Sequence, residues 1–371
     1  VLVDIANYGR MQPLLEELNE RPDFRLEIVC CGSLPLRRFG WQTQELLVDG
    51  LPVVSEIFHE VEGSTPETMT ASCGLLMLRL AAEIWRRRPD MVLLIGDRYQ
   101  ALAAAIAARF CNSCLVHLQG GEQSGTIDES IRHAITQLAH YHGPATERAA
   151  QTLLRLGQPP ETILAVGCPS SDLAAGIRAE GPIEHGRIVC AYHPQTTRYG
   201  DERREMTEML GALLELALPT TMFWPNIDPG SDLSHKRIRM FRDSHRPEWL
   251  EMRRGASPKE YLRLVAGARL CIGNSSSFVR DASYFGTPVV LVGDRQQDRE
   301  TAENVKRCRC VTFDIVDTAR RQLAHGRYGP SDLYGDGLVC RRLADAMAGA
   351  VLFTEKRLPR PADLIEAGGP P

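Results

Sequence analysis

The sequence predicts an α/β protein in which two doubly wound parallel sheets meet across a cleft. Three observations carry this. Short apolar runs alternate with stretches of helical period along most of the chain. The runs are almost wholly apolar, as in Met91–Ile95 and Val289–Val292, which suits strands covered on both faces. The alternation also restarts near Arg187, and 371 residues are too many for one ordinary domain but fit two of about 150–200.

Taken in order, residues 1–3 read as a strand, 11–19 as a helix and 26–30 as a second strand. Because Val1 already lies inside an apparent strand, further residues are expected upstream. Residues 68–86 have helical period and run into Arg86-Arg87-Arg88-Pro89, a basic last turn stopped by proline. Strand 91–95, alanine-rich helix 101–110, strand 115–117, helices 131–140 and 149–156 and strand 163–166 follow. The glycine-bearing stretch 169–186 reads as the linker. Beyond it come strand 187–191, helix 202–216, strand 220–223, helix 259–266, strand 270–272, helix 281–285 and strand 289–292. The Pro/Gly-rich tail after Leu358 is expected to pack poorly.

Composition narrows the function classes. A net charge of −4 argues against a general nucleic-acid binder. No run approaches the ~20 apolar residues of a membrane helix, and no secretory signal is visible, so a cytoplasmic location without membrane partners is expected. Most of the eleven cysteines sit in or beside apolar runs, and Cys111-Asn-Ser-Cys114 is a CxxC without a second half. Reduced, buried thiols are therefore expected, with no metal and no cofactor.

The chemistry-bearing residues cluster where strands end, the place at which open α/β sheets hold ligands. Leu115-Val116 runs into His117-Leu-Gln-Gly-Gly-Glu122, and Asp128 and Glu129 follow before the next helix. Asp128 or Ser124 would serve as a helix cap, but capping needs a single side chain and explains neither Gly-Gly-Glu nor the nearby Arg132 and His133. Asp97 and Arg98 stand at the tip of 91–95, where the alternative is an aspartate capping the next helix. His193-Pro194 ends strand 187–191, and Trp224-Pro-Asn226-Ile-Asp228-Pro-Gly230 is a rigid turn after 220–223. Gly273-Asn274-Ser275-Ser276-Ser277 leads from a strand into a helix. Its backbone N–H groups and hydroxyls suit an anion, with a serine-rich helix cap as the alternative. It lacks the Gly-Lys-Ser/Thr ending of a Walker loop. One half thus offers carboxylates for proton transfer and the other a cradle for a phosphorylated leaving group.

These residues resemble the UDP-N-acetylglucosamine 2-epimerase family, and in particular its hydrolysing branch. The match runs through Gly-Asp97-Arg98-Tyr, His117-Leu-Gln-Gly-Gly-Glu122, Ser-Gly-Thr-Ile-Asp128-Glu-Ser-Ile-Arg132-His133, His193-Pro194, Pro225-Asn226-Ile-Asp228, Gly273-Asn274-Ser275-Ser276, Phe285-Gly-Thr-Pro288 and Arg295-Gln296 to Asn304, over about residues 1–310 in order. The resemblance implies a GT-B-like fold of two Rossmann-like domains. They would span residues 1–170, carrying the catalytic acids, and 171–335, binding the nucleotide diphosphate, while 336–371 returns to the first. It implies a nucleotide-sugar substrate and a homodimer or homotetramer. The implied reaction removes UDP from C1 and the proton from C2, giving 2-acetamidoglucal, which water converts to N-acetylmannosamine. Asp97, Glu122 and Asp128 match the family's catalytic acids and His193 its second-domain histidine. Arg98, Asn226 and Arg295 match substrate contacts, Ser275 and Ser276 the diphosphate contacts, and Asp281 the ribose-binding acid. Which carboxylate takes the C2 proton stays open at this point.

Two departures stand out. Where the family's first strand runs into Gly-Thr-Arg-Ala-Asp-Tyr-Gly, this chain has Val3-Asp4-Ile5-Ala6-Asn7-Tyr8-Gly9, so the diphosphate arginine is replaced by Ile5, with Arg10 the nearest cation. A glycine usual after the serines is Phe278, which is expected to reshape the nucleotide end. Two other classes fit the fold. One is a sugar-nucleotide hydrolase or glycosyltransferase without epimerisation, for which three acids in one half are not needed. The other is a non-catalytic binder, which would not retain Asp97, Glu122, Asp128 and His193 together.

Overall fold

The computed structural model describes residues 1–183 and 186–356. In the first half, β1 (Ile28–Cys30) pairs in parallel with β2 (Val53–Glu56), and β3 (Met91–Ile95) with β4 (Cys114–Leu118), which pairs with β5 (Tyr141–Gly143). Residues 1–3 form a single bridge, Leu2 to Cys30, rather than a full strand. They still join the two groups: Leu2 N–H donates to Val29 O at 3.0 Å and the Val1 amine to Leu93 O at 3.0 Å. The expected strand 163–166 is likewise only a bridge, Ile163 to His142.

In the second half β6 (Ile188–Ala191), β7 (Thr220–Phe223), β8 (Leu250–Arg253), β9 (Leu270–Gly273), β10 (Val289–Val292) and β11 (Val305–Cys308) form one parallel sheet in the order β11-β10-β9-β6-β7-β8. Counted from β6, that is the doubly wound order 3-2-1-4-5-6, whose switch point lies between β6 and β9. If residues 1–3 count as the first strand, the first half has the same order, and its switch point lies between them and β3. The two halves face each other across a cleft, which is the GT-B-like arrangement.

Alternation along the strands explains why apolar runs became buried sheets. In β10, Val289 and Leu291 enter one core with Val189, Ala191 and Cys271, while Val290 and Val292 enter the opposite core with Ile188, Cys190 and Ile272. Helices close both faces. Pro66–Arg87 opens with a capping box in which Thr65 and Thr68 bond each other's backbone N–H. Thr65→Ala is expected to cost about 1 kcal/mol of stability, measured by chemical denaturation, because it leaves the half-buried Thr68 N–H without its acceptor and removes no core contact.

The stretch expected to be a linker is instead mostly a helix, Ser170–Ala179, with Ala174 and Ile177 in the second-half core. Its Gly176 sits in the helix with open space around it, so that glycine marked no turn. Asp172 of this helix accepts the backbone N–H groups of Val339 and Cys340, at 2.9 and 2.8 Å, at the start of the Val339–Ala348 helix. Val339, Leu343 and Met347 then pack with Leu2, Tyr8 and Leu14 in the first-half core. The tail after Leu358 lies outside the described residues. All eleven cysteines are unpaired, and among the described residues no helix is long and apolar enough to cross a membrane.

Candidate active site

A cavity of about 240 Å³ lies where the two switch points face each other. The first half contributes Arg10, Asp97 and Arg98 to its wall. The second contributes His193, Asn226, Ser275, Ser276, Asp281 and Arg295. Glu122 and Asp128 are not part of this wall: Asp128 stands 4.0 Å from Arg295, and the Glu122 carbonyl is linked to Asp97 through Arg132.

Asp97 follows β3 after Gly96, whose φ of +82° makes the turn. His117 supports that turn from β4: its Nε2 donates to the Gly96 carbonyl at 2.8 Å, and burial keeps the ring neutral by drawing its pKa down to about 4. Asp97 caps nothing, because Arg98 is the residue before the Tyr99–Phe110 helix and no side chain bonds there. Its carboxylate pairs instead with fully buried Arg132, and Arg299 stands 3.8 Å away. Burial pushes its pKa up, but the charge and hydrogen bond of Arg132, with Arg10 and Arg280 beyond, outweigh this and hold it well below the usual carboxylate range.

Glu122 is 6% exposed. Its Oε2 accepts from Arg280 Nη2 at 2.6 Å and Arg299 Nη1 at 2.5 Å, and its backbone carbonyl accepts from Arg132 Nη1 at 2.7 Å. Asp128 is different. The cap of its helix is Thr126, not Asp128 or Ser124. Its nearest cation is Arg295, at 4.0 Å, and 26% of its side chain is open to solvent. Protein encloses the rest, and this desolvation, helped by the negative charge of Asp97, raises its pKa to about 6. Of the three acids, two are locked by guanidinium groups and one is not.

His193 leaves β6 with its backbone locked to Asn274, which accepts from His193 N–H and donates to its carbonyl, both at 2.8 Å. The Asn226 N–H donates to His193 Nδ1 at 3.3 Å, which leaves the ring proton on Nε2. Burial, reinforced by Arg295, takes the pKa down to about 3. An NMR titration is expected to show the His193 ring signals flat between about pH 5 and 8; a transition near 6.5 would contradict this environment.

Arg98 Nη2 donates to Asp228 Oδ1 at 2.6 Å, and Asn226 Nδ2 to Asp228 Oδ2 at 2.5 Å, so this pair also joins the halves. Ser275 stands before the Ser276–Phe285 helix without making a cap bond, so its hydroxyl is not used as a cap. Asp281 accepts from Ser170 Oγ at 2.8 Å. Ile5 does line the cleft, as does Arg10, whose Nη1 donates to Gln119 Oε1 at 2.9 Å; Asn7 is buried off it. Phe278 does not reshape the cleft. Its ring is fully buried in the second-half core and is not part of the cavity wall. Sequence reasoning did not find Arg280 or Asp4, which stands 3.4 Å from Arg98, and it named Asp228 only as part of the turn, without its pairing to Arg98. The available signal for Arg280 was a lone cation among Phe278, Val279 and Ala282. Among the described residues no cluster of three or more His, Cys, Asp or Glu is placed to hold a metal ion.

Residues 16–348 match the sequence model of the UDP-N-acetylglucosamine 2-epimerase family. A Legionella pneumophila protein named UDP-N,N'-diacetylbacillosamine 2-epimerase (hydrolyzing) is 32% identical over 357 residues, 91% of each chain. A Neisseria meningitidis UDP-N-acetylglucosamine 2-epimerase is 26% identical over 342 residues, 90% of this chain and 89% of that one. The solved Methanocaldococcus jannaschii UDP-GlcNAc 2-epimerase, in complex with UDP-GlcNAc and UDP, superposes with a TM-score of 0.76 at 15% identity, covering 94% of this chain and 98% of that one. That last likeness concerns the fold.

Proposed function

This chain belongs to the UDP-N-acetylglucosamine 2-epimerase family, and we propose that it is a hydrolysing member, turning UDP-N-acetylglucosamine and water into N-acetylmannosamine and UDP. The observation that carries this is the division of the cleft: a helix start suited to an anion at Ser275–Ser276 shares one cavity with Asp97, to whose wall Glu122 and Asp128 are linked through Arg132 and Arg295. Breaking the C1–O bond delivers its electron pair to the departing UDP. The backbone N–H groups at the start of the Ser276–Phe285 helix, with Arg10 and Arg295, would stabilise that charge. Loss of the C2 proton completes the elimination to 2-acetamidoglucal. Water then adds its oxygen to C1, and a proton reaches C2 from the opposite face.

Asp128 is the carboxylate we assign to proton transfer. A base that works near neutral pH needs a pKa near its operating pH and a free lone pair. Asp128 has both features, while Asp97 and Glu122 are each held by buried arginines. Neutral His193 would donate from Nε2 to the sugar or its diphosphate without adding charge. A second reading, hydrolysing epimerisation of UDP-N,N'-diacetylbacillosamine, is favoured by the name of the Legionella relative at 32% identity.

The test is turnover of each sugar nucleotide in deuterated water. Equal amounts of UDP and free 2-epimerised sugar, deuterated at C2, are expected, and the better substrate decides between the two readings. Unepimerised sugar without deuterium would mean simple hydrolysis. A 2-epimer still attached to UDP would remove the hydrolysing assignment.

A further inference from the structure

The Ser276–Phe285 helix does more than face the leaving group. Four residues after Ser276, about 6 Å along the axis, Arg280 turns from the second half toward the first and donates from Nη2 to Glu122 Oε2, 158 positions away, at 2.6 Å. Its neighbours Phe278, Val279 and Ala282 are fully buried core, and Arg280 itself is 3% exposed. A guanidinium in that setting is stable only beside an anion, and Glu122 supplies it. Arg299 grips the same oxygen at 2.5 Å, so Glu122 Oε1 is left with no hydrogen-bond partner. Arg280 Nε and Nη1 also have none, and the guanidinium lies 5.8 Å from the centre of the Tyr334 ring.

We propose that Arg280 is a positioning residue that ties the helix gripping the diphosphate to the acid-bearing loop 119–128 of the other half. The role rests on the functional reading above. Because the helix is rigid over this one turn, occupation of its first turn by phosphate fixes where the guanidinium stands. The guanidinium in turn fixes Glu122, whose carbonyl holds Arg132 and, through it, Asp97. Binding of the leaving group at one end is thereby coupled to the geometry of the acids at the other.

Two measurements test this, the first of them without turnover. Amide hydrogen exchange is expected to slow in residues 119–128 when wild-type protein binds UDP. In Arg280→Ala, UDP should still bind within a few-fold, but that protection should disappear. Arg280→Lys keeps the charge but replaces the planar guanidinium fork with one compact ammonium group and should show partial protection, so it decides the matter if the alanine variant fails to fold. The second measurement is a double-mutant cycle on kcat. Arg280→Ala is expected to lower kcat on the order of 10²-fold with KM little changed, yet by less than about 3-fold in a Glu122→Gln background, because the two residues act as one unit. A purely structural arginine would give multiplying losses and leave UDP-induced protection intact, and either result overturns the proposal. If wild type bound no UDP, the functional reading would fall, and this role with it. UDP binding and turnover by wild type with unchanged loop protection would overturn this role alone.

Discussion

Replacing Asp128 by asparagine is expected to lower kcat by roughly 10²–10⁴-fold, the range of one positioned proton carrier, and to make the folded protein more stable at neutral pH. Both effects come from one fact: burial and the charge of Asp97 raise this carboxyl from 3.8 to about 6. The folded state therefore holds the Asp128 proton more tightly than the unfolded chain does. That contribution to stability is fully present below about pH 4 and is lost as pH rises through 6. Above pH 6 the ionised side chain is a cost, on the order of 2–3 kcal/mol at 1.36 kcal/mol per pKa unit. Asparagine does not carry it, so Asp128→Asn should melt later than wild type at pH 7 and alike at pH 4. In the wild type, kcat should climb through about pH 6 as the base ionises, and the variant's residual rate should lack that limb. Melting scans at the two pH values and a pH–rate profile check this. A variant that kept the limb at pH 6 would assign the titration to another group.

Glu122→Gln is expected to be damaging for a different reason. Its carboxylate is the shared partner of Arg280 and Arg299, both buried. Removing the negative charge while leaving two guanidinium groups in place costs about 3–5 kcal/mol, as for other buried pairs broken from one side. Turnover should fall about 10²-fold or more. UDP affinity should change only a few-fold, since the start of the Ser276–Phe285 helix does not touch Glu122. Chemical denaturation and calorimetric titration with UDP separate the two effects. If affinity fell as far as kcat, the division of labour between the halves would be wrong.

Most elements were legible because a strand buried on both faces must be apolar and a covering helix must be periodic. Met91–Ile95, Glu202–Leu216, Thr220–Phe223 and Val289–Val292 fall where the pattern puts them. The omissions have two causes, charge and a misread glycine. β8 and β11 are the two edges of the six-stranded sheet and carry Glu251, Arg253, Lys306 and Arg307, which an edge tolerates and a central strand does not. The Ser231–His245 helix is so rich in charge that only Ile238 and Phe241 mark its buried face. The Ser170–Ala179 helix was hidden by Gly176, a residue read as a hinge that the helix accommodates at ordinary cost.

The sequence by itself determined the two-half α/β plan and the short list of residues at strand tips, because burial patterning and turn chemistry are local. Only the tertiary structure decided how the acids differ. Asp97, Glu122 and Asp128 lie within 32 residues and look alike as text. What separates them is which guanidinium groups reach them, and Arg280 and Arg299 arrive from more than 150 positions away. Ion pairing and desolvation depend on what two distant segments bring within a few ångströms, and no local period records that. The same holds for Phe278, whose ring faces the core rather than the cleft because the packing of its whole helix, not its place after three serines, sets its direction.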